Sequence, residues 1–156
     1  MAGQIEAVGS NVSHFRPGEE VFGCLSRYGR RTFAEYVCGG ENEIALKPVN
    51  LSCEQAASVS LPALTALQGL RDKGNIQPGQ KILINGASGW VGTFAVQIAK
   101  SFGAEARGVC STRNLEMVHS IGVDHVMDYT KEDLFSPSEW EKIFDTLDRA
   151  KKDCFL

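Results

Sequence analysis

The stretch Lys81-Ile82-Leu83-Ile84-Asn85-Gly86-Ala87-Ser88-Gly89-Trp90-Val91-Gly92 decides the fold. Lys81 to Asn85 is a short run rich in branched apolar side chains. It reads as a strand buried on both faces, the pattern of a central parallel strand. Val91, Phe94, Ala95, Ile98, Ala99 and Phe102 then recur at helical spacing until Gly103 stops them. Between strand and helix lies a glycine-rich turn, Ala87 to Gly92. Small Ala87 is expected to allow the tight turn, Gly89 to let backbone approach an anion, and Gly92 to let the helix pack on the strand. The N–H groups at the start of the helix would face a doubly charged pyrophosphate. The plain alternative is a tight strand-to-helix turn that binds nothing.

Downstream, a strand is expected around Ala106 to Cys110, a helix over Leu115 to Ile121 ending at Gly122, and a third strand at Val126-Met127-Asp128. Strand-helix alternation implies a parallel sheet with right-handed crossovers, an α/β fold of Rossmann type. The second strand ends Gly108-Val109-Cys110-Ser111-Thr112-Arg113, without an acid. A carboxylate there would bind the ribose 2′-hydroxyl of NAD. Hydroxyls and a guanidinium suit a 2′-phosphate instead, so NADP(H) is expected over NAD(H). A solvated surface charge is the alternative for Arg113. Further on, Ser136 and Glu139 form a capping-box pattern around Pro137, and Trp140, Ile143, Phe144 and Leu147 fall on one helical face. A terminal amphipathic helix is expected there.

Upstream, the period changes. Gln4 to Val8, Glu20 to Gly23, Thr32 to Val37 and Glu43 to Pro48 read as short strands, with a turn at Pro17-Gly18. Leu61 to Arg71 reads as a helix, with Leu64, Leu67 and Leu70 on one face, Pro62 in its first turn and Gly74 beyond its end. The expected division is a β segment over 1–52 and a nucleotide-binding segment over 53–156.

Composition is that of an ordinary soluble globular chain: 156 residues, 43% hydrophobic and 22% charged. The net charge of -3 gives no reason to expect a nucleic-acid partner. No apolar run is long enough for a membrane helix, and the N-terminus lacks a secretory pattern. The five cysteines, Cys24, Cys38, Cys53, Cys110 and Cys154, are odd in number and widely spaced. Reduced thiols, no metal site and a cytoplasmic location are expected. His14, His119 and His125 lack a partner pattern, so no catalytic acid or base stands out.

From Gly3 to about Tyr129 the chain resembles the medium-chain dehydrogenase/reductase superfamily, and within it the zinc-independent quinone oxidoreductase (zeta-crystallin-like) branch. Three stretches carry the resemblance: Ala7 to Val12 with Phe15 to Gly23, Leu61 to Leu67, and Asn85 to Gly92 with Gly122 to Tyr129. The resemblance implies a partial GroES-like β domain followed by a partial cofactor domain. It implies that Ser88, Gly89, Trp90 and Val91 sit on the pyrophosphate and that Ser111 and Arg113 hold the 2′-phosphate. Tyr129 would lie against the adenosine end and Thr65 near the nicotinamide. Trp90 stands where the family usually has glycine. The implied activity is hydride transfer from NADPH to a quinone or other activated carbonyl or alkene, with a small-molecule substrate and homo-oligomers in full-length members. Two other readings stay open: a non-catalytic dinucleotide-binding or interaction protein, and a fragment of a zinc-dependent alcohol dehydrogenase.

Overall fold

Residues 1–25, 32–131 and 142–145 are described by the computed structural model. The chain forms two compact units, Met1–Leu61 and Pro62–Leu156. In the first, β1 (Ala2–Gln4), β2 (Glu20–Gly23) and β3 (Ile44–Leu46) make an antiparallel sheet in that order. Gly18, at φ 91°, makes the turn into β2. The strand expected over Gln4 to Val8 lies further toward the N-terminus. Beyond Gln4 only Ile5 still bonds across, donating from its N–H to the Glu19 carbonyl at 3.0 Å. The strand expected over Thr32 to Val37 is not formed. Phe33 is fully exposed there and Tyr36 is 75% exposed. Threonine, tyrosine and valine favour strands by packing on a pleated surface, and no neighbouring strand offers them one among the described residues.

Helix α1 (Cys53–Leu67) starts well before its apolar spacing does. A reciprocal cap fixes the start: the Ser52 N–H donates to Gln55 Oε1 at 2.9 Å and the Gln55 N–H donates to Ser52 Oγ at 3.2 Å. Pro62, expected in the first turn, therefore lies inside the helix. The chain continues as a π-helical stretch, Gln68–Lys73, and Gly74 ends it as expected.

The second unit alternates strand and helix: β4 (Lys81–Asn85), α2 (Trp90–Ser101), β5 (Glu105–Cys110), α3 (Leu115–Ser120), β6 (His125–Asp128) and β7 (Lys142–Asp145). The strands form one parallel sheet in the order β6-β5-β4-β7. The fold is the expected α/β arrangement with a Rossmann-type sheet. One face carries Ile82, Ile84, Ala106 and Cys110 into a core with Ala95, Val96 and Ala99 of α2 and Val118 of α3. The other face carries a smaller cluster of Leu83, Val109 and Met127. The Asp124 carboxylate ties three elements together, accepting from Lys100 Nζ at 2.6 Å and from the Ala106 N–H at 2.7 Å.

The expected terminal helix is corrected at its centre, because Lys142–Asp145 is a strand paired with β4. Ser136, Pro137, Glu139, Trp140 and Leu147 lie outside the described residues. A helix would place Ile143 and Phe144 on one face, whereas a strand sends them to opposite faces. Phe144 is buried in the larger core and Ile143 packs on the smaller cluster. The strand also pairs an edge of β4 that would otherwise present unpaired N–H and C=O groups.

Close packing passes through Gly108. A Cβ there would lie 2.8 Å from Val118 Cγ1 and 2.9 Å from Ala87 Cβ. Gly108→Ala should therefore cost about 1–3 kcal/mol in urea denaturation, by overpacking. Gly9→Ala, where a Cβ meets nothing within 4 Å, should stay within about 0.5 kcal/mol of wild type. Equal midpoints for the two variants would refute the packing account.

Candidate functional site

All four strands of the second unit run parallel, so Asn85, Cys110, Asp128 and Asp145 end at one edge of the sheet. Chain order runs outward from β4 through β5 to β6, then returns to the other side of β4 at β7. The strand order thus reverses beside β4, and in open parallel sheets such a switch point is where ligands bind at the strand ends.

The turn after β4 sits at that point. Gly86 leaves the strand at φ 72°, a left-handed conformation that suits glycine. Gly86, rather than Ala87, makes the turn tight. Ala87 is fully buried, and its N–H donates to the Val109 carbonyl at 2.9 Å. A Cβ on Gly92 would lie 2.1 Å from the Gly86 carbonyl oxygen, so only glycine permits this approach. Gly89 is the N-cap residue of α2, with no side-chain cap and no acidic residue in the first turn. The first intrahelical bond runs from the Thr93 N–H to the Gly89 carbonyl. The N–H groups of Trp90, Val91 and Gly92 precede it and have no intrahelical acceptor. An uncapped helix start behind a glycine cradle fits a pyrophosphate. The indole of Trp90 is 85% exposed, so its bulk stays out of the packed turn.

Ser111 follows β5 and caps a short 3-10 turn, Thr112–Asn114. The Asn114 Nδ2 donates to Ser88 Oγ at 3.1 Å and to Ser111 Oγ at 3.3 Å, which brings these two expected residues together. Arg113 is exposed on the same turn, and among the described residues its guanidinium forms no hydrogen bond or ion pair. Tyr129, 55% exposed, follows β6, and its N–H donates to the Cys110 carbonyl at 3.3 Å. Thr65 is an exposed residue of α1.

Asn114 and Asp128 were not singled out by sequence reasoning. Asp128 is a buried carboxylate at the end of β6. It accepts from Thr112 Oγ1 at 2.5 Å, from Thr130 Oγ1 at 2.7 Å and from the Thr130 N–H at 3.0 Å. The last of these is an Asx turn, the signal that Asp-x-Thr offered in the sequence. The Thr112 hydroxyl, then the Thr130 bonds and Lys131, hold the Asp128 carboxyl down to about 2 against the opposing effect of burial. Asp128 thereby fixes Thr112, beside Arg113. Among the described residues no group of three or more His, Cys, Asp and Glu is arranged to hold a metal, and no helix is long and apolar enough to cross a membrane.

No protein-family model matches the chain. The mouse mitochondrial NAD(P)H oxidoreductase RTN4IP1 is 37% identical over 149 residues, covering 93% of this chain and 38% of the relative. A quinone oxidoreductase structure from Coxiella burnetii superposes with a TM-score of 0.80 at 33% identity, over 85% of this chain and 42% of that one. The Escherichia coli quinone oxidoreductase complexed with NADPH gives a TM-score of 0.80 at 28% identity, over 92% of this chain and 45% of that one. Over the residues that it spans, the chain is homologous to oxidoreductases of the medium-chain dehydrogenase/reductase superfamily. It spans about two fifths of the length of the curated relatives that it matches.

The Asp128 network has a pH signature. Its folded pKa is depressed, so the stability it contributes is present above the unfolded value of about 3.9. That contribution is lost as pH falls from there toward about 2. Urea denaturation followed against pH should show this loss in the wild type. Asp128→Asn should be less stable at pH 7 and lack this part of the pH dependence; parallel profiles would count against the network.

Proposed function

We propose that this chain is the cofactor-binding segment of an NADPH-dependent oxidoreductase that reduces a quinone or another activated carbonyl or alkene. One observation carries the reading: the uncapped start of α2 meets a strand end that bears Ser111 and Arg113 and no acid. The names of the relatives support a nicotinamide dinucleotide and a small-molecule substrate.

The dinucleotide, when bound, supplies the hydride. The residues of this chain bind and orient it. Backbone N–H groups of Trp90 and Val91 meet the pyrophosphate, with the Ser88 hydroxyl and the Gly89 backbone, its own N–H held by the Gly86 carbonyl, beside them. The Arg113 guanidinium and the Ser111 hydroxyl meet the 2′-phosphate, where a carboxylate would repel it. Tyr129 lies against the adenosine, and Thr65 serves the nicotinamide end. The division at residues 52 and 53, homo-oligomers and a cytoplasmic location belong to the same reading. Relatives named for mitochondrion and chloroplast set the competing locations.

Fluorescence titration tests it. The chain should bind NADPH more tightly than NADH. Arg113→Ala should weaken NADPH by about tenfold or more, the scale of a charged hydrogen bond, and leave NADH nearly unchanged. Equal affinities in the wild type would refute the 2′-phosphate assignment. Binding without turnover of a small quinone would favour a non-catalytic dinucleotide-binding protein.

A further inference from the structure

Asn114 occupies the N-cap position of α3, where asparagine ordinarily accepts a backbone N–H of the first turn. Here its side chain makes no cap bond. Its amide nitrogen turns instead toward the sheet edge and donates to Ser88 Oγ at 3.1 Å and to Ser111 Oγ at 3.3 Å. Ser88 lies in the turn after β4, and Ser111 follows β5. One half-buried amide therefore joins the loop after β4 to the loop after β5.

We infer that Asn114 is a positioning residue that couples the pyrophosphate turn to the 2′-phosphate end of the site, an inference that rests on the dinucleotide reading above. The amide group has two N–H donors, and each serine oxygen has two lone pairs. Each serine can thus accept from Asn114 and still turn its own O–H toward a phosphate oxygen. The amide orients both hydroxyls before any ligand arrives, which lowers the ordering cost of binding. Disturbing one loop then disturbs the other, so loss of the amide is felt by dinucleotides with and without a 2′-phosphate. A direct 2′-phosphate contact would discriminate between the two.

The experiment has two arms. In the first, no ligand is present, and amide hydrogen exchange is measured over residues 86–92 in wild type and Asn114→Ala. Faster exchange in the variant is expected. In the second, NADPH and NADH are titrated into wild type, Asn114→Ala, Ser88→Ala/Ser111→Ala and the triple variant. Asn114→Ala should weaken both dinucleotides by about three- to tenfold, the scale of one or two neutral hydrogen bonds. In the Ser88→Ala/Ser111→Ala background it should weaken neither further, because its acceptors are gone. A loss confined to NADPH, an undiminished loss in that background, or unchanged exchange each overturns the inference. If the wild type binds neither dinucleotide, the cofactor reading fails, and the exchange arm alone decides whether Asn114 braces the turn.

Discussion

The structure of the second unit depends on how closely the first turn of α2 approaches the end of β4. Gly92 comes so near the Gly86 carbonyl that no side chain fits between them. That approach seats Ala87 beneath Gly108, draws α2 onto Ile82 and Ile84, and leaves the start of the helix bare at the edge of the sheet. A looser turn would give up core contacts and open N–H groups together. Packing and binding geometry are thus set by one steric condition on three glycines.

Energies of different size act on the two levels of this arrangement. Burial of the sheet residues, at roughly 25 cal/mol per Å² of apolar surface, places the strands. The neutral bonds at the sheet edge, from Asn114 to Ser88 and Ser111, are each worth only about 1 kcal/mol net. They cannot choose the fold, but they select among loop conformations that the strands leave open. Where the loops carry ligand-binding groups, such small terms decide whether those groups are aligned beforehand.

The parts legible in the sequence are those in which local pattern and tertiary packing agree. From Lys81 to Asp128 each strand run and helix period meets the neighbour that its pattern implies, so the elements lie where the spacing puts them. Thr32 to Val37 has the composition of a strand but no partner strand among the described residues. Ile143 and Phe144 have helical spacing with Trp140 and Leu147, but β4 offered an open edge and two apolar faces, and pairing prevailed. The start of α1 was written in Ser52 and Gln55 rather than in any apolar residue. At the candidate site, the turn glycines were expected from the motif and Ser111 and Arg113 from the strand end, while Ser88 was implied by the family resemblance alone. Asn114 was not expected, because Ser88, the partner that ties it to the glycine turn, lies in a loop remote in sequence.

The order β6-β5-β4-β7 also has a temporal meaning. β4 acquires β5 after one helix, and β6 joins after a second, each by a local crossover. β7 pairs with β4 across the longest sequence separation of the three pairings, and that pairing completes the reversed strand order. Contacts between segments so far apart in sequence carry the larger closure cost and form late. The switch point is therefore complete only with this last pairing step, since without β7 the strand order does not reverse. A ligand that needs the switch point would bind only chains that have completed the step, and would act as a trap for the finished fold.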